Sequence, residues 1–267
     1  MRIKHRVIIF FVFFLLSISY GQIPDSEFRW RSGEELTYKV KWEFVRLGTV
    51  KLAIEDSLKL DSIPVHKITF HLDSNPLLFF VNMHSFFICY VDTLFRPILY
   101  IASEKNNGQS KKAVYRFNYT DSIFTIDFMK EDTTVYRQVT LPLKKTVFDG
   151  ISLVFFARKH ISEKRAFWLT AFWEDKLGPV EIHFKGKGKP IKIKSIGYAI
   201  PTYYTEGIIH LKGIAGVNGP FKGWFAADNQ RPPLKAYLKV FIGNVTAELE
   251  SWKKWSPPLK KFYTKDR

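Results

Sequence analysis

Acidic side chains are the first candidates for chemistry in this sequence. Two carboxylates on facing strands can act as acid and nucleophile, or acid and base, in glycoside hydrolysis. Adjacent carboxylates on one strand point to opposite faces, so a working pair must come from different strands, and the sequence selects none. We expect Asp228 and Arg231 to organise their own proline-rich turn instead. The candidate carboxylates are Glu34, Glu35, Glu174, Asp175 and Asp228.

The histidines and the single cysteine do not match the spacing of known catalytic or metal sites. His66 and His71 are five positions apart on a predicted strand, which places them on opposite faces. Cys89 lies in an apolar run typical of a small core residue. Ser152 follows Gly150 but lacks the second glycine of a nucleophile elbow. The sequence therefore predicts no catalytic residue, no metal and no cofactor, and we expect a protein that is not an enzyme.

The first 21 residues have the composition of a signal peptide. Arg2, Lys4 and Arg6 precede the apolar run 7–18, and small residues flank a cut near Gly21. We expect a cleaved, exported protein that is periplasmic or extracellular. A retained N-terminal anchor is the alternative, although the run is shorter than the about 20 residues that span a bilayer.

Charge narrows the expected partners. Loss of the three basic residues of the signal segment lowers the formal charge from +16 to +13. Export excludes nucleic acid as the expected partner, so we expect a lipid, a lipoprotein or an anionic envelope polymer. The tail 251–267 interleaves aromatics with lysines, and it either packs along the sheet or touches a membrane peripherally. The sequence leaves the oligomeric state open.

The elements that must position these side chains are mostly strands. Leu36, Tyr38 and Val40 alternate with polar residues, as in a half-buried strand. Regularly spaced segments of this kind, separated by turn signals, favour one antiparallel sheet in a single domain, 24–250. The predicted strands are 33–44, 49–54, 64–73, 86–91, 98–103, 111–118, 122–128, 133–141, 166–174, 180–184, 191–196, 205–214, 224–227, 234–241 and 245–249.

One segment has helical periodicity. Asp149 is a suitable N-cap, and Ile151, Val154 and Phe155 recur at helical spacing. The residues 158–160 are basic and fall in the last turn, where cations interact favourably with the helix dipole. The sequence predicts one buried helix over 149–160.

The closing stretch 223–249 carries a family resemblance. Its pattern Trp224-Phe-x-x-Asp228-x-x-Arg231-x-Pro233-Leu, with a later Gly243, resembles family 3108 of the bacterial domains of unknown function. The opening Gly-Glu-x-Leu-x-Tyr at 33–38 is similar as well. The resemblance implies a helix with an Asp near its start and an Arg near its end. It also implies a half-barrel like that of the periplasmic lipoprotein-localisation carriers, whose cavity holds acyl chains.

We therefore expect a mainly β fold, a large curved antiparallel sheet of about ten or more strands with one helix on its concave face. The leading functional hypothesis is a non-catalytic envelope protein that binds a lipid or another amphiphile in the half-barrel. One alternative is a structural or protein-interaction module whose helix fills the half-barrel. Another is a hydrolase of envelope polymers, which would need carboxylates or histidines to meet in a cleft.

Overall fold

The chain folds into one large curved sheet around a single helix. The computed structural model describes residues 28–78, 82–213, 216–240 and 243–260, so the predicted signal peptide lies outside the described residues. The strands are β1 (Glu35–Trp42), β2 (Val45–Leu60), β3 (Ile63–Ser74), β4 (Met83–Val91), β5 (Pro97–Asn106), β6 (Gln109–Asn118), β7 (Ile123–Met129), β8 (Val135–Pro142), β9 (Val147–Phe148), β10 (Ala166–Trp173), β11 (Lys176–Lys192), β12 (Ala199–Ile209), β13 (Gly219–Ala226), β14 (Pro233–Val240) and β15 (Gly243–Lys253). The helix is α1 (Gly150–His160).

The sheet is an antiparallel meander with one long-range closure. Its strand order is β8 through β1, then β15 down to β9. All neighbours are antiparallel except β9 and β10, which are parallel. The pairing of β1 with β15 joins the two ends of the chain, so β8 and β9 are left as the edges. Because a large open sheet curls, it forms the predicted half-barrel, and the predicted fold class is confirmed.

Helix α1 lies in the concavity of the half-barrel. Ile151 and Phe155 pack into the core formed by β2 to β7, and Ala157 and Ile161 pack into the core of β10 to β13. We call the two sides of the sheet its arms, one of strands β1 to β8 and the other of strands β9 to β15. The helix contacts both arms because its apolar stripe is wide. Aromatic rings fill the space beside it.

Phe172 on β10 shows how the two arms meet. Its ring lies 4.8 Å from that of Tyr115, 5.3 Å from that of Phe124 and 5.5 Å from that of Tyr100, all on the opposite arm. The space left beside Tyr100 and Asp149 is about 10 Å³, at the lower limit for a single water. The resemblance implied a half-barrel whose cavity holds acyl chains; around Phe172, packed side chains fill the concave face.

Two ion pairs cross the open seam of the half-barrel. Lys111 on β6 reaches Glu174 at 3.0 Å, and Arg137 on β8 reaches Asp175 at 2.8 Å. Both pairs are partly solvent-exposed, and such pairs contribute about 0–1 kcal/mol each. We therefore expect the buried rings around Phe172, near the N-terminus of α1, to contribute more to stability here than the two ion pairs.

Candidate functional site

The N-terminus of α1 is fixed by a capping box. Asp149 accepts from the backbone N–H groups of Ile151 (2.7 Å) and Ser152 (3.0 Å), and the Ser152 hydroxyl accepts from the Asp149 N–H. The Cys89 thiol donates to the second Asp149 carboxylate oxygen at 3.0 Å. Burial, reinforced by this carboxylate, raises the pKa of Cys89 well above its ordinary value. Cys89 is thus a buried core residue, as predicted, and Ser152 is part of the helix cap.

The C-terminal half of α1 is joined by a buried ion pair to the residue that immediately precedes β1. Arg158 and Glu34 are both 0% exposed. The Arg158 guanidinium donates to the two Glu34 oxygens at 2.7 and 3.0 Å and to the Gln230 carbonyl at 2.6 Å. Such a pair is tolerated only because the hydrogen bonds replace the lost hydration of both charges. From the sequence, Arg158 is expected only as one of the last-turn cations, and its pairing with Glu34 is not predicted.

Asp228 organises the loop that meets this ion pair. Its carboxylate accepts from the backbone N–H groups of Gln230 (2.9 Å) and Arg231 (2.8 Å) and from the Trp255 indole (2.8 Å). The Arg231 guanidinium turns away and donates to the backbone carbonyl of Lys159 at 2.7 Å. Asp228 therefore has the expected turn role, whereas the Arg231 side chain joins the loop to the end of α1.

A cleft opens beside this junction, at the mouth of the half-barrel. Its volume is about 610 Å³, within the usual range for sites that bind small molecules. It brings together the segment before β1, the β2–β3 hairpin, the β4–β5 turn, the end of α1 and the 228–233 loop. The lining residues are Phe28, Arg29, Trp30, Asp56, His66, Phe95, Lys159, Ser162, Glu163 and Arg231.

One wall of the cleft is aromatic. The Trp30 ring lies 5.0 Å from Phe95, 4.5 Å from His66 and 5.9 Å from Phe28, with edge-to-face geometry in each case. Trp30 also packs edge-on against the buried Phe155 of α1, 5.0 Å away. The wall is therefore rigidly supported from behind.

The charged groups of the cleft differ in how they are engaged. Asp56 binds His66 Nδ1 at 2.6 Å, and Glu163 binds His160 Nδ1 at 2.7 Å. The Lys159 ammonium lies 5.2 Å from the centre of the Phe95 ring. Among the residues that the structure describes, no carboxylate pairs with Lys159. The cleft thus combines an apolar wall with a cation that no carboxylate of the described residues neutralises.

The candidate carboxylates do not form an acid pair. Glu35 binds Lys253 at 2.9 Å, and the other four are held by the donors described above. In the described ranges, no group of three histidine, cysteine, aspartate or glutamate side chains is arranged to hold a metal. His66 and His71 lie on opposite faces, as predicted, with His71 packed against Phe86 on the outer face.

The sequence match decides the family. The family model described as a protein of unknown function (DUF3108) matches residues 37–250. The chain belongs to the DUF3108 family. Asp228 and Arg231 of the resembling pattern, and the Asp and Arg that the resemblance implies for the helix (Asp149 and Arg158), lie where α1 joins the sheet and the 228–233 loop.

Two solved structures resemble this DUF3108 protein. One is a β-barrel-like protein of the DUF1849 family from Brucella abortus, with a TM-score of 0.57 and 7% identity over 84% of this chain and 98% of that one. The other is a candidate exported protein with a YmcC-like fold from Bacteroides fragilis, with a TM-score of 0.36 and 7% identity over 86% and 100%. The first likeness shows a shared fold alone. No curated protein matches the sequence significantly.

No described helix is long and apolar enough to cross a membrane. Strand β15 runs to Lys253, so it extends into the predicted tail and contains Trp252. Trp255 is buried, and its ring lies 5.2 Å from that of Trp252. Residues 261–267, with the remaining two aromatics of the predicted tail, lie outside the described part of the chain.

Proposed function

We propose that this protein is an exported, non-catalytic envelope protein that binds the acidic head of an amphiphilic ligand in the mouth cleft. The observation that carries the proposal is the Lys159 ammonium, which faces an aromatic wall in a cleft of about 610 Å³ and pairs with no described carboxylate. An anionic head would neutralise this cation, and the rings of Phe28, Trp30 and Phe95 would cover the first part of an apolar chain. Export is supported by the signal-like segment 1–21.

The geometry limits how the ligand is held. Packed rings fill the concave face around α1, so the ligand lies at the mouth rather than deep in the half-barrel. A longer acyl chain therefore has to extend past the cleft or along its rim. This favours a ligand held at its head, with affinity set by charge and by the first few carbons.

A titration of the mature chain with dodecyl phosphate, below its critical micelle concentration, tests the proposal. Lys159→Gln should weaken binding about tenfold or more, because a hydrogen bond to a charged group contributes about 1.5–3 kcal/mol. Lys105→Gln, an exposed lysine on another arm, is the matched control and should change nothing. Dodecyltrimethylammonium should bind much more weakly than dodecyl phosphate. Equal affinity for the two head groups would contradict the proposal.

A hydrolase is the second candidate, favoured by the Asp56–His66 pair in the cleft. A carboxylate at Nδ1 orients an imidazole so that Nε2 can act as a base. In the described chain, however, no serine, threonine or cysteine side chain hydrogen-bonds to His66. Release of nitrophenol from 4-nitrophenyl dodecanoate decides between the two. Turnover that is lost in His66→Asn would favour the hydrolase, and turnover unchanged by that substitution favours the binding protein.

A further inference from the structure

Half of β11 is an open edge. β10 pairs with β11 only as far as His183, and the backbone of Arg165 bonds that of Phe184. From Lys185 to Lys192, β11 pairs with β12 on one side, and no described strand covers the other. A free edge presents unpaired backbone N–H and C=O groups with which another molecule can form hydrogen bonds.

Cations are concentrated along this edge. Five exposed lysines lie there: Lys187, Lys189 and Lys192 on β11, Lys194 just after it, and Lys164 from the loop before β10. None of these five, which we call the lysine edge, pairs with a carboxylate among the described residues. Their neighbour Lys185 does pair, with Glu206 at 3.1 Å. The lysine edge is therefore a surface region of concentrated positive charge.

Protection against aggregation explains only part of the lysine edge. Alternating lysines and Pro190 on an edge strand prevent pairing with another chain. Lys164 and Lys194 are outside the strand, so edge protection does not require them. A positive surface that binds anions accounts for all five.

The lysine edge adjoins the rim of the mouth cleft. A Cβ placed on Gly186 would lie 3.1 Å from Lys164 Cγ and 3.7 Å from the Ser162 carbonyl oxygen. Ser162 lines the cleft. The 161–165 loop thus has the cleft on one side and the lysine edge on the other.

An exposed tryptophan lies on the neighbouring strand. Trp168 of β10 is 68% exposed and pairs with Glu181 of β11. Side chains alternate along a strand, so Trp168 shares the outer face with Lys185. Tryptophan rings with a polar edge favour the interface between lipid headgroups and acyl chains. This aromatic side chain favours a bilayer over a water-soluble polyanion.

We propose that the lysine edge docks this protein on the surface of a bilayer that contains anionic phospholipids. The lysines meet the headgroups, Trp168 enters the interface, and the mouth cleft is held next to the membrane. Docking goes beyond the proposed ligand binding and does not rest on it, because Lys159 is not part of the lysine edge.

Vesicle co-sedimentation of the mature chain tests the docking. Phosphatidylcholine vesicles with phosphatidylglycerol should bind the protein, and vesicles of phosphatidylcholine alone should not. The triple variant Lys187→Gln/Lys189→Gln/Lys192→Gln should bind about a hundredfold more weakly, since each lysine near an anionic surface contributes about fivefold. Trp168→Gln should weaken binding further.

The control variant carries the same loss of charge elsewhere. Lys105→Gln/Lys130→Gln/Lys145→Gln removes three exposed lysines, one on β5 and one in each of the loops after β7 and β8, and should keep vesicle binding within about twofold. Equal losses in the two triple variants would overturn the proposal, because net charge alone would then explain binding. Binding to dextran sulfate without binding to vesicles would overturn it as well. Lys159→Gln should lose dodecyl phosphate and keep vesicle binding, which separates failure of docking from failure of the cleft.

Discussion

The buried pair of Glu34 and Arg158 is the contact whose loss should destabilise the protein most. Glu34→Gln removes the charge that compensates Arg158, which is 0% exposed. Leaving one member of a buried pair uncompensated costs about 3–5 kcal/mol. The Arg158 bond to the Gln230 carbonyl survives the substitution, so we expect the lower part of this range.

This cost can be measured as a change in melting temperature. For a domain of this size, each kcal/mol corresponds to about 2–4 °C, so Glu34→Gln should lower Tm by about 6–15 °C in differential scanning calorimetry. Glu35→Gln is the matched control, because its carboxylate is 50% exposed and pairs with Lys253. Exposed pairs contribute about 0–1 kcal/mol, so this Tm should fall by a few degrees at most.

A second variant shows whether charge is the cause. Glu34→Leu/Arg158→Met removes both charges, and replacing a whole buried pair by apolar side chains is often neutral or stabilising. We expect the double variant to be more stable than Glu34→Gln. A Glu34→Gln variant that cost no more stability than Glu35→Gln would show that the pair is not what joins α1 to the sheet.

Three further perturbations have expected outcomes. Asp228→Ala leaves three donors without their acceptor and should lower the free energy of unfolding in urea by about 2–4 kcal/mol. Trp255→Phe loses one of these hydrogen bonds and should lower it by about 1 kcal/mol. Equal costs would contradict the turn role of Asp228. Burial raises the pKa of Cys89, so iodoacetamide should label it only after denaturation, and rapid labelling of the folded protein would contradict its burial. Burial also raises the pKa of Glu104, against the opposing effect of Lys111. Ionisation of Glu104 therefore destabilises the folded state, so Glu104→Gln should be more stable than wild type at neutral pH, and this gain should vanish below the ordinary glutamate pKa of about 4.3. A gain that persisted at lower pH would show that the charge is not its cause.

The fold could be predicted because local signals agree with it. Alternation in β1 marks Leu36 and Tyr38 as buried, and both are. The N-cap at Asp149 marks the start of the helix correctly. Glycine and asparagine turns separate the strands, so a meander is the simplest arrangement of the sheet. The alternation ends earlier than expected, because Phe44 lies in the β1–β2 turn and is exposed.

A signal for the buried ion pair was present in the sequence. Glu34 is in phase with Leu36 and Tyr38, so it belongs to the inner face of the sheet. Arg158 is seven positions after Ile151, so it belongs to the buried stripe of the helix. Opposite charges on two inward faces predict a pair.

The cleft had no such local signal. It joins side chains from segments as far apart as Trp30, Phe95 and Arg231. Their meeting depends on the curvature of the sheet and on the position of α1 within it. Both are long-range properties, and neither strand alternation nor residue spacing reports them.

Native mass spectrometry of the mature protein, purified from the envelope of its own cells, tests directly whether the mouth cleft holds an acidic amphiphile through Lys159. We expect an additional mass that is released on denaturation and is identified as an acidic amphiphile, and we expect this mass to be lost in Lys159→Gln. Protein that carries no such ligand, or a ligand retained equally by Lys159→Gln and wild type, would contradict the account.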